Sequence, residues 1–114
     1  MPIPPLQKQL IEQRLEKYCK ERIPKEIQDQ IKLSFSVRGN NVTLIESRPF
    51  WRDKSQWTDS KIAQFRFDTS TAEWSLFCRD RNEKWHAYLD GTSSKDIDAL
   101  IKEVNDDPTG IFWG

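Results

Sequence analysis

The sequence predicts an α+β fold: a five-stranded antiparallel sheet, made of a hairpin plus a three-strand meander, with N-terminal helices and a C-terminal helix packed on one face. Three observations carry this. Apolar residues recur at helical spacing near both ends of the chain, the period drops to two between them, and no helical stretch separates the strands. A chain of 114 residues without repeats, low-complexity stretches or linkers suits one domain, residues 1–114.

Pro4 and Pro5 fit a first helical turn, where a missing N–H costs nothing. Ile11, Leu15, Tyr18 and Cys19 then mark the buried stripe of the first helix. Pro24 interrupts it and opens an expected second short helix through Glu26, Ile27 and Gln30. Ile31, Leu33, Phe35 and Val37 alternate with polar residues as a strand, and Gly39-Asn40 turns it into a partner carrying Val42, Leu44 and Glu46. A loop is expected from Pro49 to Ser60, containing Trp51 and Trp57.

The meander follows. Its apolar sets are Ala63, Phe65 and Phe67; Trp74, Leu76 and Cys78; and Trp85, Ala87 and Leu89. Turning through Asp68–Glu73 sets Phe65 opposite Leu76 and Phe67 opposite Trp74. A two-residue Arg81-Asn82 turn sets Cys78 opposite Trp85, Leu76 opposite Ala87 and Trp74 opposite Leu89. All three sets then share one face. The last helix is expected to begin near Ser93 with Asp96 in a capping box, to bury Ile97, Leu100, Ile101 and Val104, and to end at Asp107-Pro108.

Composition narrows the function. Basic and acidic residues balance at 18 each, so no overall field draws in polyanions or membranes. The sheet segment is slightly basic and the end of the chain acidic, a weak preference for anions on the sheet. No apolar run approaches the roughly 18–20 residues of a membrane span, and the start lacks a secretory signal. Cys19 and Cys78 are too few for a disulfide scaffold and fit a reducing cytosol. A cytoplasmic protein is expected.

The register that buries one face also sets out the other: Gln64, Arg66, Ser75, Phe77, Arg79, His86 and Tyr88, with Phe77 opposite His86 and Tyr88 opposite Ser75. An aromatic and basic mixture of this kind can stack bases and hold phosphates. It equally stabilises the sheet through cross-strand pairs. His86 is the only imidazole and the default acid–base group, but no activated nucleophile lies beside it. Cys78 and His86 are expected on opposite faces, and no metal-ligand spacing exists. Asp53, Asp59, Asp80 and Asp90 read as turn formers rather than a cation site. The five tryptophans stand out. Trp74 and Trp85 belong to the core face, while Trp51, Trp57 and Trp113 must dock back or meet a partner. Docking back, with Ile111-Phe112-Trp113 folded over the sheet, is the simpler expectation.

Four phrases carry a resemblance: Arg48-Pro49-Phe50-Trp51, Ala63-Gln64-Phe65-Arg66-Phe67, Arg79-Asp80-Arg81-Asn82-Glu83-Lys84-Trp85-His86, and Asp107-Pro108-Thr109-Gly110-Ile111-Phe112-Trp113-Gly114. With them the chain resembles an uncharacterised bacterial domain-of-unknown-function family of small proteins over nearly its whole length. The resemblance implies a bacterial, soluble, single-domain protein and supplies no activity, substrate or catalytic residue.

The leading reading is a non-enzymatic binding or adaptor domain that offers its open sheet face and aromatic loop to a protein partner, as a monomer or a dimer. The candidate binding residues are Arg66, Phe77, Arg79, His86, Tyr88, Trp51 and Trp57. No catalytic residue, metal or cofactor is expected. A nucleic-acid-binding module using Arg66, Phe77, Arg79 and Tyr88 comes second, and a small enzyme built around His86 third.

Overall fold

A computed structural model describes residues 3–113; Met1, Pro2, Gly114 and the side chain of Asp90 lie outside the description. The first helix, α1, spans Pro5–Arg22, with Pro5 in its first turn and Ile11 and Leu15 fully buried. It stops where proline chemistry requires: Ile23, preceding Pro24, takes an extended backbone that no helix continues. The expected second helix shrinks to one 3₁₀ turn, Lys25–Ile27. No residue of that turn is fully buried, so no apolar face holds a longer helix together.

Strands β1 (Lys32–Arg38) and β2 (Asn41–Pro49) form the expected hairpin, with Val37 opposite Val42. Gly39 at φ 60° meets the positive φ that a two-residue loop demands at its first position. The next strand, β3, spans Trp57–Asp68, so the loop expected from Pro49 to Ser60 contracts to residues 50–56. Residues 57–60 pair with 46–49 but are exposed and mostly polar, and so carry no period-two signal. The ladder slips once, leaving Ile62 as a bulge between the Leu44–Ala63 and Ile45–Lys61 pairs.

Strand β4 (Glu73–Arg79) meets β3 in the expected register, Phe65 on Leu76 and Phe67 on Trp74. The next connection departs from expectation by one residue. Strand β5 (Trp85–Ala87) sets Arg79 opposite Trp85, Cys78 opposite His86 and Phe77 opposite Ala87. The turn has three residues rather than two. The Asp80 N–H donates to Lys84 O at 3.0 Å, the Glu83 N–H donates to Asp80 O at 3.0 Å, and Glu83 sits at φ 64°. This is a type I turn closed by a left-handed residue, and Asp80 Oδ1 secures it by accepting the N–H groups of Asn82 and Lys84.

After Ala87 the edge strand breaks. A 3₁₀ turn over Tyr88–Asp90, with Gly91 left-handed behind it, rolls Tyr88 inwards until 1% of it is exposed. The chain then rejoins the same edge of β4 as β6 (Ser93–Ser94), where Ser93 pairs with Ser75. The last helix, α2, therefore starts later than expected, at Ile97, and runs to Asp106. Asp96 is its N-cap, accepting the Asp98 N–H, and Ser94 accepts the Asp96 N–H.

The sheet order is β1-β2-β3-β4-β5, antiparallel throughout, with β6 continuing the β5 edge. Helix α1 packs against β1, α2 against β4 and β6, and the helices touch each other. Val42, Leu44, Phe65, Phe67, Trp74 and Leu76 meet Ile11, Leu15, Leu100 and Val104 in one core beneath them. The chain end docks back, though against α2 and Tyr88 rather than across the sheet. Phe112 lies 4.9 Å from the Tyr88 ring, and Trp113 Nε1 donates to Val104 O at 2.9 Å. Among the described residues no helix is long and apolar enough to cross a membrane.

Candidate functional site

Both helices cover the same side of the sheet, and the register decides what the other side shows. Paired residues point to one side of an antiparallel ladder, so Ser36, Thr43, Gln64, Phe77 and Ala87 form one row across the open face. Arg38, Asn41, Arg66, Ser75 and Ser93 form the row beside it. Arg66 reaches between the rows. Its Nε donates to Gln64 Oε1 at 2.6 Å and its guanidinium lies 3.8 Å from the centre of the Phe77 ring. Gln64 in turn donates to Thr43 Oγ1 at 3.0 Å. Gln64 and Thr43 are therefore buried on a face no helix covers. Burial also lowers the basicity of the Arg66 guanidinium.

Arg79 and Trp85 extend this pattern. The guanidinium carbon lies 5.6 Å from the ring centre, and Nη2 donates to Glu83 O at 3.4 Å. Trp85, expected in the core, stands on the open face because of the one-residue change in register. Along β2 and β3 the face runs out to the hairpin tip. Trp57 belongs to β3 rather than to a loop, with the Lys32 ammonium 4.1 Å from its ring centre. Trp51, at the tip, is 74% exposed with Arg52 beside it. Asp53 braces that tip by accepting the Oγ–H and then the N–H of Ser55, bonds that lower its carboxyl pKa.

Of the seven candidate residues, Arg66, Phe77, Arg79, Trp51 and Trp57 lie on the open face or its hairpin. Two do not. Tyr88, expected opposite Ser75, is in the core with its hydroxyl donating to Glu103 Oε2 at 3.0 Å. Burial raises that hydroxyl's pKa. His86 is opposite Cys78, not Phe77, so Cys78 and His86 share a side rather than standing on opposite faces. Cys78 Sγ contacts His86 O at 3.6 Å.

His86 lines a cleft of about 300 Å³ between the broken edge strand and the chain end, walled by Ala87, Leu89, Thr109 and Ile111. Its Nε2 lies 2.6 Å from Asp80 Oδ2. Lys84's backbone N–H first, then His86, hold the Asp80 carboxyl at about 2. Leu89, at φ 47° and 61% exposed, holds a backbone conformation that bulky residues rarely adopt. The sequence offered no sign of this cleft, because it exists only through the break after Ala87. Among the described residues no three His, Cys, Asp or Glu side chains converge on a metal position. Asp59 accepts from Ser47 Oγ at 2.6 Å across the hairpin, and Asp90's side chain lies outside the description.

A family model matches residues 3–114. The chain belongs to the family described as Domain of unknown function (DUF3024). The matched span takes in all four phrases on which the resemblance rests. No curated protein and no solved structure matches the chain. The family description assigns no activity, so the bearing on function comes from the geometry above.

Proposed function

We propose that this DUF3024 chain is a non-enzymatic binding domain of a bacterial cytoplasm that offers its open sheet face and the β2–β3 hairpin to a protein partner. The observation that carries the reading is Trp51, 74% exposed at a hairpin tip whose own turn is braced by hydrogen bonds. A large aromatic group held in water by an ordered turn is the residue type and setting of a binding hot spot. Phe77, Trp85 and Trp57 continue an aromatic track along the same face. The two free thiols suit a reducing compartment.

The aromatic rings of this track carry cations already. Arg66 lies on Phe77, Lys32 on Trp57 and Arg79 near Trp85, so a cation already takes one side of each ring, and with basic and acidic residues balanced at 18 each a polyanion lacks its usual driving force. That favours a protein over a nucleic acid. The test is affinity capture from native lysate with nuclease-treated and high-salt arms, set beside Trp51→Ala and Phe77→Ala. A protein retained through nuclease and salt and lost with the variants supports the reading. Nucleic acid that salt releases, or a protein retained equally by both variants, overturns it.

A further inference from the structure

Beyond the open face, the free edge of β1 has the features of a strand-addition site. We infer that this edge accepts an extended segment of another protein, with alternating apolar residues and acidic residues at its ends. The two-residue Gly39-Asn40 turn makes Arg38 and Asn41 the hydrogen-bonded closing pair, and the ladder alternates from there. Lys32, Ser34, Ser36 and Arg38 therefore bond inwards to β2. Leu33, Phe35 and Val37 aim their N–H and C=O groups at the free edge, and no other strand pairs with β1 among the described residues.

Natural sheets protect such edges with proline, bulges, inward-pointing charge or charged residues on the strand itself, and of these β1 carries only Lys32 and Arg38, at its two ends. Residues 32–38 contain no proline, the β1–β2 register has no bulge, and the inward-pointing side chains are Leu33, Phe35 and Val37, each only half-buried. Beside them lies a groove of about 390 Å³ between β1 and the end of α1, lined by Cys19, Lys20, Ile23, Ile31, Lys32 and Leu33 among others. An added strand would place its inward residues against this apolar strip.

Charge selects the occupant. The groove lining holds Lys20 and Lys32 and no carboxylate, and Arg38 closes the other end of β1; none of the three is ion-paired among the described residues, and the Lys32 ammonium rests on the Trp57 ring without a carboxylate partner. A second copy fits poorly. Antiparallel self-pairing about Phe35 would set Lys32 against Arg38 at both ends, a like-charge contact that destabilises a ladder. An acidic-ended strand turns the same two positions into attractions.

The probe is an acetylated, amidated heptapeptide, Asp-Val-Thr-Val-Thr-Val-Asp, against its lysine-ended counterpart, with amide exchange followed on the full chain. The expected result is saturable binding of the acidic peptide, at least tenfold weaker binding of the lysine-ended one, and slowed exchange at the Leu33, Phe35 and Val37 N–H groups. Lys32→Glu with Arg38→Glu, both exposed positions, should reverse the preference. Phe77→Ala should leave it unchanged, which separates this site from the open face. The inference fails if neither peptide binds at millimolar concentration, if binding leaves those three amides unprotected, if the charge-reversed variant keeps the original preference, or if the chain dimerises through β1 instead.

Discussion

Arg79 stands opposite Trp85 across β4 and β5, and this pair fixes what the edge of the sheet buries. A two-residue turn would have put Trp85, Ala87 and Leu89 in the core. The three-residue turn built on Asp80 moves Trp85 to the open face and His86 and Tyr88 to the side of the helices, and Tyr88 is buried there where the strand breaks after Ala87. The consequence is a reversal of mutational sensitivity. Tyr88→Ala should cost about 3–5 kcal/mol as a buried aromatic truncation, whereas Leu89→Ala, at an exposed position, should stay within about 0.5 kcal/mol. Urea unfolding of the two variants checks this, and equal costs would refute the register.

Asp80 gives a pH prediction. Its carboxyl sits at about 2 in the folded chain, below the usual aspartate range, because the Lys84 N–H and then His86 favour the charged form. A folded pKa below the unfolded one means stabilisation that is complete above the unfolded value of about 4 and is lost as pH falls through about 2. Asp80→Ala should therefore lower the urea midpoint at neutral pH, and its difference from the parent should shrink steadily as pH is taken from about 4 to 2. A difference that stays constant over that range would assign the effect to turn geometry alone.

Much of this architecture was readable from residue spacing. The alternation of Leu33, Phe35 and Val37, the Gly39-Asn40 turn and the Phe65–Leu76 register follow from a period of two with one side in water. So do Ile97, Leu100, Ile101 and Val104 from the helical period. Two of the failures share a cause: the deciding interaction was polar and local. Asp80 captures two backbone N–H groups and adds one residue to a turn, and Ser94 with Asp96 delays a helix. Residues 57–60 form a strand with no buried side, which periodicity cannot register. Among the candidate residues, the placement of Arg66, Phe77 and Arg79 on the open face was legible because it depends on the β3–β4 register. His86 and Tyr88 depended on the turn and were misplaced.

The Arg66–Gln64–Thr43 relay predicts a cost where a surface arginine would show none. Removing Arg66 leaves the buried Gln64 Oε1 without its donor, so Arg66→Ala should lose about 1–3 kcal/mol. The stacked Phe77 adds a coupling of about 0.5–1 kcal/mol, readable as the non-additive part of an Arg66→Ala and Phe77→Ala cycle. Additive losses would mean the stacking contributes nothing to stability.

Burial pushes the Cys19 thiol up to about 11 and raises that of Cys78. The thiolate is the reactive form, so both should alkylate slowly with iodoacetamide at pH 8 in the folded chain. Alkylation in urea should restore the rate of an ordinary cysteine. Fast native labelling of either residue would contradict its burial.

Asp107 governs the chain end in two separable ways. It ends α2 in the left-handed region at φ 44°, and its two carboxylate oxygens accept the Phe112 N–H at 3.1 Å and the Trp113 N–H at 2.9 Å. Trp113 then supplies a donor to Val104 O, one of the last carbonyls of the helix, under the Arg22 guanidinium. Asparagine tolerates the left-handed backbone but offers one oxygen, so Asp107→Asn should lose about 1–2 kcal/mol. Glycine relieves the backbone and keeps neither bond, while alanine loses both and keeps the strain. The expected order of destabilisation is asparagine, then glycine, then alanine, with Phe112 and Trp113 amide exchange accelerating in step. If glycine matched the parent, backbone conformation rather than the carboxylate would be what fastens Trp113 to α2.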